Sequence, residues 1–153
     1  MMQVPELVFA FEARVSVSPA VEAGNVDGGR RRIIPITGGV VEGPRLNGIV
    51  IPGGADWQIV RGDGLIDLTA RYTIRADDGT LIGVVNRGYR HAPPEVLARL
   101  AAGETVDPAQ VYFRTTPRFE APQGPHHWLT RHIFVATAGR HPAGVQLRFF
   151  QLT

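Results

Sequence analysis

Alternation with a period of two limits what this chain can fold into more than any other feature. Leu7, Phe9, Phe11, Ala13, Val15 and Val17 fall on one side of an extended chain, with Ala10, Glu12, Arg14 and Ser16 on the other. The same rhythm returns at Ile66, Leu68, Ala70, Tyr72 and Ile74, set against Asp67, Thr69, Arg71, Thr73 and Arg75. Side chains two residues apart share a face only in a strand, so residues 6–17 and 65–75 are predicted strands with one buried face.

The rest of the chain is punctuated in the same style. Residues 19–29 are rich in turn formers and read as a loop, followed by Arg30, Arg31 and Arg32 and a strand through Ile33, Ile34, Ile36 and Val40. The three arginines read either as a solvated strand start or as an anion site. Glycines at 38, 39, 43 and 48 suggest two strands bent or bulged where a barrel turns its corners. Arg61-Gly62-Asp63-Gly64 is a turn, and Asp77-Asp78-Gly79 is a hairpin signal that returns the chain through residues 80–87. Residues 93–102 make the one convincing helix, with proline in its first turn and glycine just past its end. Its apolar stripe of Val96, Leu97 and Leu100 is suited to plugging or flanking a sheet. Residues 110–116 are a strand broken by Pro117 and extended at Phe119 and Glu120, and residues 127–138 and 145–152 form a closing hairpin.

Eight or nine strands with short connections, one helix and no βαβ rhythm predict an all-β fold. The expected form is a closed antiparallel β-barrel, lipocalin-like, in a single domain spanning residues 1–153. A two-sheet sandwich is the alternative. Closure removes exposed strand edges, and an eight-stranded barrel can hold one small ligand. Ile133 to Ala136 is apolar on both faces, which suits a wall covered by the helix or by a second copy in a homo-oligomer.

Composition removes several chemistries. All 16 basic residues are arginine, so no lysine is available for a Schiff base or a phosphate-loop role, and no cysteine is present for thiolate chemistry. The only serines are Ser16 and Ser18, with no glycine elbow around either. His126 and His127 face opposite sides of an extended chain, and His126 and His132 would stand about 20 Å apart on it, so no metal and no cofactor is expected. A formal charge of +2 gives nucleic-acid binding little support. No apolar run is long enough for a membrane span and no leader-like segment opens the chain, so the expectation is a soluble, cytoplasmic protein.

The functional candidates cluster. Pro52-Gly53-Gly54-Ala55-Asp56-Trp57-Gln58 places a carboxylate, an indole and an amide directly after a double-glycine turn. Asp56 and Gln58 share one strand face and Trp57 takes the other. The plainer reading makes Asp56 a turn cap and Trp57 core. Arg71 sits in a polar row that faces either solvent or a pocket, with Tyr72 on the opposite side. Tyr112 and Arg114 share a face, and Arg114 with Glu120 reads either as a pocket pair or as a structural ion pair.

The segments Gly28–Gly39, Pro52–Gly64, Thr69–Ile74, Val111–Glu120 and Trp128–Arg140 resemble the bacterial and fungal family known as domain of unknown function 3237, over roughly residues 8–152. The resemblance implies a closed barrel akin to that of allene oxide cyclase and hints at ligand binding. Gly53, Gly54, Asp56, Trp57, Gln58, Arg71, Tyr72, Tyr112, Arg114, Phe119 and Glu120 match the family pattern, which also brings in Trp128 and Arg131 and of itself assigns no roles. The resulting expectation is a cofactor-free isomerase, cyclase or lyase acting on a small oxygenated or anionic metabolite. In it Asp56 or Glu120 moves a proton, Arg71 and Arg114 hold an oxygen anion, and Trp57, Tyr72 and Trp128 form an apolar wall, with Gln58, Tyr112 and Arg131 as further substrate-binding candidates. The competing readings are a non-catalytic lipocalin-like carrier of a small-molecule ligand and a structural oligomer.

Overall fold

A computed structural model describes all of residues 1–153. Its strands are β1 (Leu7–Val17), β2 (Val21–Val26), β3 (Gly29–Glu42), β4 (Gly48–Val60), β5 (Ile66–Ala76), β6 (Leu81–His91), β7 (Tyr112–Glu120), β8 (Ile133–His141) and β9 (Gly144–Leu152), with one helix, α1 (Pro94–Ala101). Every ladder is antiparallel, and the order β1-β9-β8-β7-β6-β5-β4-β3 is closed by pairing of β1 with β3. Eight strands therefore make a barrel. The ninth, β2, is an arm that pairs only with the first part of β3, whose second part pairs with β1.

Three elements depart from the sequence reading. β2 lies inside the segment read as a loop; all six of its residues are exposed, so it carries no alternation for a core to impose. β7 runs straight through Pro117. Its ladder with β8 stops at Arg114 and Thr115, so on that side the missing proline N–H falls beyond the paired stretch. Residues His127–Thr130 form a 3-10 turn instead of opening the last hairpin, and β8 begins only at Ile133. Trp128 and Leu129 both pack under the barrel, which two consecutive residues of a strand cannot do.

The interior is layered. At the foot, Phe11 and Phe149 stack at 4.6 Å between ring centroids, Phe119 meets Phe134 edge-on at 5.1 Å, and Leu129 and Trp128 close the end from below. Burying each such ring stabilises the fold by about 2–3 kcal/mol, and edge-on pairs add about 0.5–1.5 kcal/mol. Near the opposite end a smaller cluster of Ile66, Leu68 and Phe113 spans the barrel. The helix flanks that upper mouth: Leu97 reaches over Gly64 in the β4–β5 turn, and Leu100 joins Arg90 and Phe113 in the wall of a cavity. The Arg61-Gly62-Asp63 tripeptide belongs to the same turn, which closes with the Gly64 N–H donating to the Arg61 carbonyl at 2.9 Å.

Candidate functional site

Between the aromatic foot and the upper cluster lies a polar layer. Asp56 on β4 stands opposite Ala70 on β5, which stands opposite Asn86 on β6. Gly88, two residues on, stands opposite Thr115 on β7. The small residues in this series make the layer possible. Ala70 leaves space between Asp56 and Asn86, and a Cβ at Gly88 would lie 2.6 Å from the Thr115 methyl carbon and 2.2 Å from the Arg114 carbonyl oxygen. Asp56, Tyr72, Asn86 and Thr115 all line one hollow, whose remaining walls are Val15, Val17, Ile36, Leu68, Phe113 and Leu147 among others.

The double-glycine turn sets the height of this layer. Between Ile51 and Ala55 the strand β4 carries two more residues than β5 opposite it, so the chain bulges at Pro52–Gly54 and resumes in the same facing. Gly53 takes a φ of +116°, and a Cβ on Gly54 would lie 2.5 Å from the Arg71 carbonyl oxygen and 2.7 Å from the Tyr72 Cβ. The glycines thus let β4 close onto β5 beside Tyr72 and bring Asp56 and Gln58 inward.

What distinguishes the hollow is polarity without partners. The Gln58 Nε2 donates to Asp56 Oδ2 at 2.8 Å, while Asp56 Oδ1, Gln58 Oε1, Tyr72 OH, Asn86 Oδ1, Thr115 Oγ1 and Arg32 Nε are shielded from solvent with no hydrogen bond. A buried polar atom left unpaired costs about 1–3 kcal/mol, so a cluster of them is not a packing solution. Burial pushes the Asp56 carboxyl above its ordinary value, against the lowering pull of the Gln58 amide and the Arg32 guanidinium. Burial also pushes the Tyr72 hydroxyl up, so it stays a hydrogen-bond donor. A carboxyl moved towards neutrality beside a donor and two further oxygens can take a proton from a bound group, return it elsewhere, and steady an oxygen anion.

Of the sequence candidates, the structure brings Asp56, Gln58 and Tyr72 into the barrel and leaves the others outside. Trp57 is 47% exposed on the outer wall, with the Arg31 guanidinium 6.0 Å from its ring. Arg71 faces outward beside the Pro52–Ala55 bulge, since the polar row of β5 is its solvent row. Tyr112 and Arg114 are also outward, 5.5 Å apart as ring and guanidinium, with Tyr112 stacked on His91. Glu120 is exposed at the foot of β7 and makes no ion pair with Arg114. Trp128 packs against Phe134 beneath the barrel under the guanidinium of Arg45, and Arg131 is exposed just past the 3-10 turn. The pocket pairing of carboxylate and arginine expected from Arg71, Arg114 and Glu120 is thus absent, because Arg71 lies on the outward row of β5 and Arg114 and Glu120 share the outward row of β7.

Asn86, Thr115 and Arg90 escaped the sequence reading. Their signal was present: Asn86 follows Ile82 and Val84 on the buried row of β6, and Thr115 lies between Phe113 and Phe119 on that of β7. A polar residue in an apolar row is worth more than a polar residue in a polar row.

Fold and site together define a closed antiparallel barrel, sealed at one end, with an unsatisfied polar layer toward the other. The chain belongs to the family described as protein of unknown function (DUF3237), whose model matches residues 5–152. It is 42% identical over 147 residues to a UPF0311 protein of Rhodopseudomonas palustris, covering 96% of each chain. It superposes with a TM-score of 0.92 on the crystal structure of a conserved protein of unknown function from R. palustris, at 40% identity, covering 99% of this chain and 100% of that one. It is also 35% identical over 78 residues to the hydroalkoxylation enzyme phnH of Penicillium herquei, covering 51% of this chain and 52% of that protein. No helix is long and apolar enough to cross a membrane.

Proposed function

We propose that this barrel is a proton-transfer catalyst, a cofactor-free isomerase, cyclase or lyase acting on a small oxygenated molecule whose reacting end enters the hollow. One observation carries the reading: Asp56, Tyr72, Asn86 and Thr115 each turn a buried, unpartnered oxygen into the same space. The likeness to a hydroalkoxylation enzyme supports it. Such a reaction adds an alcohol O–H across a carbon–carbon double bond, moving one proton from oxygen to carbon with no change of oxidation state. Asp56 is the group placed to take the proton from the attacking oxygen and return it to carbon. Tyr72 is the donor placed to steady charge on the acceptor's oxygen, and confinement supplies the orientation.

The test is isomerisation in deuterated water. Wild-type protein incubated with a metabolite extract of its host in D₂O is expected to convert a compound into an isomer carrying one carbon-bound deuterium. Asp56→Asn is expected to slow that conversion by about 10²–10⁴-fold. An Asp56→Asn protein as fast as wild type ends the proposal, as does a wild type that releases no isomer from the extract. Glu120→Gln, changed on the outer wall, is expected to leave the rate alone.

A further inference from the structure

The hollow beside Asp56 has only about 40 Å³ of free volume, room for a water or a few ligand atoms but not for a whole metabolite. Above it, between the barrel mouth and the chain that follows α1, lies a second cavity of about 450 Å³, in the range of small-molecule sites. Phe113 forms part of both walls. Leu100, Val106, Val111 and Ala138 give the upper cavity an apolar side, and Arg90 and Arg140 give it a charged one.

These two arginines have no counter-ion. Neither takes part in any ion pair of the molecule, and Glu104, the one acid in the cavity wall, is engaged by Arg99 at 3.5 Å. Arg90 lies on the inward row of β6 with Asn86 and Gly88, its guanidinium 6.0 Å from the Phe113 ring. Arg32 is near enough to act on the charge of Arg90, and its one ion pair is a long one, at 3.8 Å to Glu22. Burial, then the nearness of Arg140 and of Arg32, lowers the Arg90 pKa, which marks the mouth as a place where positive charge is crowded and partly dehydrated. Guanidinium groups in that condition beside a concave apolar wall are suited to a planar anion.

We infer that the upper cavity seats the anionic end of the substrate, a carboxylate, phenolate or enolate held by Arg90 and Arg140, while its apolar body rests against Leu100 and Val111 and its reacting tip passes Phe113 to Asp56. The last clause rests on the function proposed above; the anion seat stands without it. The substrate class is therefore an amphiphilic organic acid, longer than the hollow is deep.

The probe is 8-anilinonaphthalene-1-sulfonate, read by fluorescence, with N-phenyl-1-naphthylamine as its sulfonate-free counterpart. Wild-type protein is expected to bind the sulfonate at least tenfold more tightly than the amine, and Arg90→Gln is expected to remove about tenfold of that preference. Arg140→Ala, an exposed substitution the fold tolerates, is expected to remove about threefold, and Asp56→Asn to leave sulfonate affinity within twofold. Equal binding of sulfonate and amine by the wild type, binding of neither, or an Arg140→Ala protein and a folded Arg90→Gln protein that both match wild type would overturn the inference. The readout involves no turnover, so loss of the anion seat and loss of the Asp56 chemistry are separable results.

Discussion

The foot and the middle of this barrel solve the same packing problem in opposite ways. At the foot, Phe11, Phe119, Phe134 and Phe149 fill the cross-section with interlocked rings, and the 3-10 turn beneath them lends Leu129 and Trp128 as a floor. Halfway up, the same eight strands present Asp56, Tyr72, Asn86 and Thr115, whose free oxygens face a space that nothing in the chain fills. The first arrangement gains stability from every contact; the second gives some away. The same eight strands close both cross-sections, so the contrast teaches that the unfilled layer is a feature of the site rather than of barrel closure.

That contrast can be broken most forcefully at the foot. Phe149→Ala, at a site with no exposure, is expected to destabilise the fold by about 3–5 kcal/mol in urea titration. A cost below about 1 kcal/mol would mean that the aromatic layer is not what holds the barrel. In the polar layer the sign reverses. Thr115→Val keeps shape while removing an unpaired hydroxyl, and is expected to raise stability by about 1–2 kcal/mol while impairing turnover. A destabilised Thr115→Val protein would indicate a partner for that hydroxyl that the fold conceals.

Asp56 supplies a pH test with a defined sign. Its folded pKa lies above its unfolded value, so the folded state holds its proton more tightly. That contribution is fully present below the ordinary carboxylate pKa and is lost as pH rises through the interval up to the raised folded value. Asp78 works the other way, lowered chiefly by the Thr80 backbone N–H, and its effect is common to both proteins compared. The melting temperature of Asp56→Asn, relative to wild type, is therefore expected to climb as pH rises through that interval and then level off. A difference that stays flat across it would place Asp56 in contact with water. The smallest effects belong to the outer wall: Trp57→Ala and Arg71→Ala are each expected to change stability by no more than about 0.5 kcal/mol and to leave turnover unaltered.

Period-two patterning was enough to read most strands, because burial on one face leaves its record in every second residue. β2 left no such record, being exposed throughout, and the turn at Trp128 was hidden because apolar residues in a row look alike in a strand and in a 3-10 segment. The site was half legible. Parity separated Asp56 and Gln58 from Trp57, yet parity alone does not say which face is inside, and the polar row of β5 carrying Arg71 proved to be the outer one.

The order of residues by itself determined that this chain would make strands with one wet and one dry face, turned at its glycines, with a carboxylate and an amide together after the Gly53-Gly54 bulge. Only tertiary structure decided that Asp56, Asn86 and Thr115 would share a hollow and that Arg90 would stand above it with Arg140. Those residues lie on four strands, and their meeting depends on ladder register and barrel closure, long-range couplings that no local stretch of sequence encodes.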